Sequence, residues 1–199
     1  PTNAALLNLT VTFDEAVTGF DITDLVVTGG NKTNFATTSA SVYTFDITDP
    51  SGQAQVDIAA AAALDAAGNE SAAAQQFNID ADSVAPKAVI TSEQPSPTNV
   101  ATLNMTVTFD EDVVDFTLAD ITVSNGIKGN FLQISSAVYQ FDINAPNGSV
   151  TVDVPANVAT DMAGNNNEPV DQFTIESDTI SPQVASITSF TADGTYTAG

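Results

Sequence analysis

The chain has 199 residues, with 25 acidic side chains against three lysines and a formal charge of −22, an excess that excludes nucleic acid and anionic membrane as partners and invites cations. It contains no Cys, His, Arg or Trp, so Cys and His nucleophiles, soft metal sites and arginine clamps on phosphate cannot be built, and no catalytic residue is expected. No apolar run reaches the ~18 residues of a membrane span, so no membrane insertion is expected.

The first element is signalled by Leu7, Leu9, Val11 and Phe13, which alternate with Asn8, Thr10, Thr12 and Asp14. A period of two predicts a strand with one face in the core and one in water. Leu25 with Val27, and then Phe35, mark two further strands, and Tyr43, Phe45 and Ile47 a fourth. The DPSG at 49–52 carries the Pro and Gly of a tight reversal, and Val56 with Ile58 follows it as the next strand. The run IAAAAALDAAGN at 58–69 has high helix propensity, yet its counterpart VPANVATDMAGN at 154–165 contains Pro155. At most one helical turn is expected there. Phe77 and Ile79 give the closing strand, and Val89 marks an opening strand that follows it.

From Pro97 the chain repeats itself. Residues 1–86 recur without a gap at 97–182, with about half the positions identical, which is the signature of tandem modules. Leu103, Met105, Val107 and Phe109 repeat the first strand, and Tyr139, Phe141 and Ile143 the fourth. Val152 and Val154, then Phe173 and Ile175, complete the second copy, and APNG at 145–148 repeats the turn. The second copy is preceded by PKAVITSEQPS at 86–96, which the first lacks, and PQVASITSFTADGTYTAG at 182–199 reads as the same opening segment for a third. Residues 1–82 are therefore expected to form a first module without its first strand, and 83–178 a second. Residues 179–199 begin a third, or else supply a strand to the incomplete first module of another copy. About seven short strands per module predict an all-β fold, tandem seven-stranded Greek-key sandwiches.

The paired motifs VTFDEAV and VTFDEDV, LDAAGN and TDMAGN, QQFNID and DQFTIE, with the linkers DADSVAP and ESDTISP, resemble the bacterial immunoglobulin-like repeats of large surface adhesins. The resemblance implies sandwiches strung end to end in secreted, cell-surface or biofilm-matrix proteins, often stiffened by calcium between modules. In such a sandwich the entering chain, the loop after the second strand and the loop before the last share one end. For the second module this brings Asp80 and Asp82 of the linker toward Asp110, Glu111 and Asp112 on one loop and Asp161 and Asn165 on the other. These are hard oxygen ligands suited to calcium. Asp14, Glu15, Asp65 and Asn69 are the matching set in the first module, and Glu176 and Asp178 would serve a third.

Simpler roles compete at every position. Asp65, Gly68 and Asn69, like Asp161, Gly164 and Asn165, have the chemistry of a tight turn, since Asp and Asn bond nearby backbone and Gly tolerates positive φ. Asp14 and Glu15, with Asp110 and Glu111, fit a solvated strand end. Asp46, Asp57, Asp142 and Asp153 fall on the wet faces of strands and are read as surface. The acidic excess also serves solubility and keeps identical modules from pairing.

The leading functional expectation is a non-enzymatic extender of an extracellular or cell-surface adhesin, partnered by neighbouring modules of its own array, with calcium at the joints. A second is a self-assembling filament or layer subunit, joined to copies of itself by strand addition. A third, a glycan- or protein-binding module, lacks aromatic platforms: Tyr43 and Tyr139 fall in the inward register, leaving Tyr196 in the tail.

Overall fold

The computed structural model describes residues 1–188. In the first module the alternating segments form β1 (Leu6–Thr12), β2 (Leu25–Thr28), β3 (Asn31–Ser39), β4 (Val42–Thr48), β5 (Gly52–Ile58) and β6 (Phe77–Ala81). The second contains β7 (Ala88–Ser92), β8 (Thr102–Phe109), β9 (Thr122–Ser124), β10 (Ile127–Gln133), β11 (Val138–Asn144), β12 (Gly148–Asp153) and β13 (Phe173–Ser177). Six strands thus stand against seven, and β7 makes the difference. Tyr196 and most of the expected third module lie outside the described residues.

Each module is a two-sheet sandwich. In the first, the sheet β1-β4-β3 faces β2-β5-β6; in the second, β7-β8-β11-β10 faces β13-β12-β9. The chain changes sheet after β8, β9 and β11, and every pairing between strands is antiparallel. The register repeats closely, with Leu9 opposite Phe45 in one module and Met105 opposite Phe141 in the other.

The cores follow the period-two pattern. Tyr43, Phe45 and Ile47 of β4, and Tyr139, Phe141 and Ile143 of β11, are all buried. Around each tyrosine sits an aromatic cluster. Phe131 stacks on Tyr139 at 5.7 Å and Phe35 on Tyr43 at 5.8 Å, while Phe116 and Phe20 meet those tyrosines edge-on at 5.0 Å. Such pairs add about 0.5 to 1.5 kcal/mol each beyond the area they bury. The buried phenol of Tyr139 donates toward the carbonyls of Val113 and Ser136.

One detail differs from the expectation from sequence, and a second was not anticipated. The opening strand of the second module forms where Val89 marks it, but Val89 points outward at 58% exposure and Ile90 fills the core at 8%. The helical content lies elsewhere than in the alanine-rich run, as single 3-10 turns at Ile22–Asp24 and Leu118–Asp120. Asp21 caps the first by accepting from the Thr23 N–H at 2.7 Å, and Asp120 closes the second by accepting from the Thr117 N–H at 2.8 Å. Lys32 and Lys128 pin these turns to the sheets. Their ammonium groups donate to the carbonyls of Ile22 and Leu25, and of Leu118 and Ile121, respectively.

Candidate metal site at the module joint

The joint is assembled from the linker and two loops of the second module. Asp82 follows directly on β6, and its N–H donates to the Thr2 carbonyl, while the Thr2 N–H donates to Asp80, so the linker leaves the first module along that module's own opening residues. At the second module the Asp110 N–H donates to the Lys87 carbonyl, and the Lys87 N–H donates to the Asp110 carboxylate at 2.8 Å. The Glu168 N–H reaches the Pro86 carbonyl from the other loop. A bridge between Val114 and Thr160 ties the two loops together. The entering chain and both loops therefore share one end, as the sandwich geometry requires.

Asp161 organises the second loop. One of its carboxylate oxygens accepts from the N–H groups of Ala163, Gly164 and Asn165 at 2.7 to 2.8 Å, and the other from the Asn165 side chain at 2.7 Å. Gly164 turns the chain at φ +95°, a conformation that disfavours a side chain, and a Cβ there would lie 3.5 Å from the Asn3 amide of the first module. Burial alone would raise the Asp161 pKa, but these hydrogen bonds outweigh it and hold the group below the usual 3.8. Asn165 also donates to the Asp82 carbonyl at 2.8 Å, a direct clasp between turn and linker.

This arrangement gathers three carboxylates. Oxygens of Asp82, Glu111 and Asp161 lie within 4.8 Å of one another, and among the described residues no other three acidic side chains come so close. Glu111 registers the crowding. Its pKa is raised above 4.5 by burial first, then by Asp161, Asp82 and Asp110, and no hydrogen bond offsets them. The donor set suits a hard cation. Oxygens on opposite sides of a calcium ion, each at about 2.3 to 2.6 Å from it, are separated by about twice that distance, so the cluster has the span of one coordination sphere. Asp161 keeps spare acceptor capacity on only one oxygen, so further ligands would come from Asp82, Glu111, backbone carbonyls or water.

The remaining candidate residues are dispersed. Asp80 lies within β6 opposite Gln53, which reaches it at 3.4 Å, and not in the three-carboxylate group. Asp110 is engaged by the Lys87 backbone, and Asp112 is exposed. In the first module Asp65 repeats the turn, accepting from Ala67, Asn69 and the Asn69 side chain, and these bonds lower its pKa, the Asn69 side chain foremost. Asp14, Glu15, Asp65 and Asn69 line the rim of one open cavity. Asp178 caps a turn by accepting from the Ile180 N–H at 3.1 Å.

Asn167 is a residue the sequence reading passed over. It is 2% exposed and fully used, accepting from the Val158 and Ala159 N–H groups and donating to the carbonyls of Pro155 and Glu168. It fixes the loop that carries Asp161. The first module has Ser71 there, which supplies one bond to the Ala63 N–H, and the Asn-rich run 165–167 was the available signal.

The order β7-β8-β11-β10 facing β13-β12-β9 is that of a seven-stranded constant-type immunoglobulin sandwich. The family described as bacterial Ig-like domain matches twice, over 2–81 and 82–179. The chain belongs to this family. Its Ig-like modules are also similar to solved structures of FdeC, an adhesin of Escherichia coli, at 14% identity and TM-score 0.35, covering 87% of this chain and 53% of that one. For InvD of Yersinia pseudotuberculosis the values are 17% and 0.41, covering 89% and 55%. For the adhesin InvE of the same organism they are 13% and 0.31, covering 89% and 55%. The chain thus spans about half the length of each, and likenesses this loose add nothing to the family assignment. No curated protein matches the sequence. Among the described residues no helix of the Ig-like modules is long and apolar enough to cross a membrane.

Proposed function

We propose that the chain is a non-enzymatic stalk segment of a bacterial surface adhesin or extracellular matrix protein, in which calcium held by Asp82, Glu111 and Asp161 locks the angle between successive Ig-like modules. The observation that carries this reading is the position of the three carboxylates, one on the linker and one on each of two loops, within 4.8 Å of one another. Without a cation they repel, and Glu111 is pushed toward its protonated form. With one, the linker and both loops become a single unit, and a chain of beads becomes a rod. At an affinity of about 10⁻⁴ to 10⁻³ M, typical of extracellular modules, a tenfold excess of calcium adds about 1.4 kcal/mol. That is small beside a domain stability of about 5 to 15 kcal/mol, so the modules fold without the ion and their relative orientation depends on it. A glycan-binding role is disfavoured by Tyr43 and Tyr139, which are 4% and 2% exposed and offer no platform.

Small-angle scattering with calcium and then with chelator tests the proposal. The expected result is a longer, stiffer particle in calcium, abolished by Asp82→Ala with Glu111→Gln, a pair that leaves the Asp161 turn intact. Equal scattering profiles in both conditions would sink it. Filament formation is the second reading, and concentration-dependent growth in light scattering would replace the single-rod picture with it.

A further inference from the structure

On the outer face of the sheet β7-β8-β11-β10, one row of side chains is largely aliphatic from edge to edge. Val89 lies opposite Thr108, and Thr108 opposite Val138. The Ile134 N–H donates to the Val138 carbonyl at 2.9 Å, which sets Ile134 at the end of that row. Leu132, opposite Gln140, widens it along β10. Tyr139, between Val138 and Gln140, is buried, so by alternation its two neighbours and the residues opposite them face outward. Leu132 and Ile134 are 57% and 53% exposed. Cross-strand neighbours stand about 4.5 to 5.5 Å apart, so Val89, the Thr108 methyl, Val138, Ile134 and Leu132 make one continuous patch. The first module shows that the fold does not require it. There Ala36 and Thr38 hold the positions of Leu132 and Ile134, exposed too, on a strand bulged at the same place. Aliphatic side chains left in water where smaller or polar ones serve the fold equally well mark a contact surface.

We propose that this patch is a self-recognition surface, the face through which two copies of the chain lie side by side as a two-fold pair. Charge selects the occupant. The chain carries −22, yet the patch holds no carboxylate, while Asp110, two residues beyond Thr108, and Asp142, two beyond Gln140, border it. A cationic partner is drawn to the acidic surface elsewhere and has no counter-charge to meet on an uncharged row. An acidic partner is repelled everywhere except where its own contact is uncharged as well. The patch itself meets that condition, and an aliphatic row on both sides is self-complementary, so the contact closes at two. The bulge at Asn130, at φ +49°, bends the β10 edge away from pairing, so the copies meet by face and not by strand addition. Such pairing is lateral, lies apart from the carboxylates of the joint, and couples chains that stand close together.

Sedimentation equilibrium of the whole chain, over a series of concentrations and salt levels, tests the proposal. A monomer–dimer equilibrium is expected, tightening as salt screens the repulsion between two chains of −22. Leu132→Ala with Ile134→Thr, which installs the residues of the first module, should weaken pairing about tenfold or more while the urea midpoint of the second module stays unchanged. Gln140→Cys, in a chain with no other cysteine, should give a disulfide-linked dimer on mild oxidation, and Thr174→Cys on the outer face of the opposite sheet should not. A chain that stays monomeric throughout, association that the paired substitution leaves unmoved, or equal cross-linking from both cysteine positions overturns the surface. Growth beyond two copies, or pairing that weakens as salt rises, overturns the two-fold aliphatic contact.

Discussion

Met105, Val107 and Phe109 in the second module are 1%, 0% and 3% exposed, whereas Leu9, Val11 and Phe13 at the same repeat positions stay only half-buried. Ile175 and Val154 are likewise sealed at 0% and 1%, while Ile79 and Ile58 are partly open. These side chains face the same way in both modules and their strands share a register, so orientation is not the cause. The covering strand is. Alternation decides which face of a strand is apolar, but only a neighbour on the open side removes that face from water, and among the described residues β7 does so in the second module.

The largest effect should come from breaking this asymmetry directly. Phe109→Ala is expected to destabilise the second module by about 3 to 5 kcal/mol, the usual range for a sealed aromatic, and Phe13→Ala to cost the first less than half as much. Chemical denaturation resolved by module, for instance through exchange-protected amides, measures both. Ile90→Asp sharpens the comparison, because a carboxylate at an 8% exposed position dislodges β7 and leaves β8 as an edge. In that background the cost of Phe109→Ala should fall toward that of Phe13→Ala. An additive double-mutant cycle would show that β7 is not what seals the core.

The asymmetry also separates what can be read in the sequence from what cannot. Leu7 through Phe13 announce a strand because a period of two is local and needs no partner to be seen. The meeting of Asp82, Glu111 and Asp161 was legible too, since in a seven-stranded sandwich the topology alone brings the linker and those loops to one end. Asp80 stands apart from the three because it is still within β6, opposite Gln53, whereas Asp82 has left the strand for the linker. The 3-10 turns escaped notice because a three-residue helix leaves no periodicity, although Lys32 and Lys128, two of three lysines, recur at equivalent positions and hold those turns through backbone carbonyls. Val89 and Ile90 could not be assigned to faces. In a five-residue strand with adjacent apolar side chains the pattern fits either register, and contact with β8 decides.

A smaller difference is expected at the two equivalent turns. Asp161→Ala removes the acceptor for four hydrogen bonds in a group that is 4% exposed, and a loss of about 1 to 3 kcal/mol should follow in the second module. Asp65→Ala removes the same motif from a more open turn, where water replaces the lost partners, so the first module should lose less. Urea midpoints of the two variants check the ordering, and equal losses would mean that the clasp of Asn165 on the linker adds nothing.

The smallest expected effect is in the pH dependence of the metal-free chain, and its sign differs between the acidic groups. Glu111 holds its proton to a higher pH folded than unfolded, because burial, then Asp161, Asp82 and Asp110, oppose its charge. Its ionisation therefore costs stability at neutral pH, and that cost is relieved as pH falls through the raised value toward 4.5. Asp161 and Asp65 behave oppositely, contributing stability above 3.8 that is lost as pH falls through their lowered values. The second module should accordingly gain slightly on mild acidification before losing stability in stronger acid, and Glu111→Gln should erase the gain while leaving the loss. Calcium inverts the first limb, since the ion requires ionised Glu111 and its stabilising effect must fade over the same interval. A thermal-melt series across pH with and without calcium reads both limbs, and a calcium effect that persists unchanged where Glu111 is protonated would remove that residue from the site.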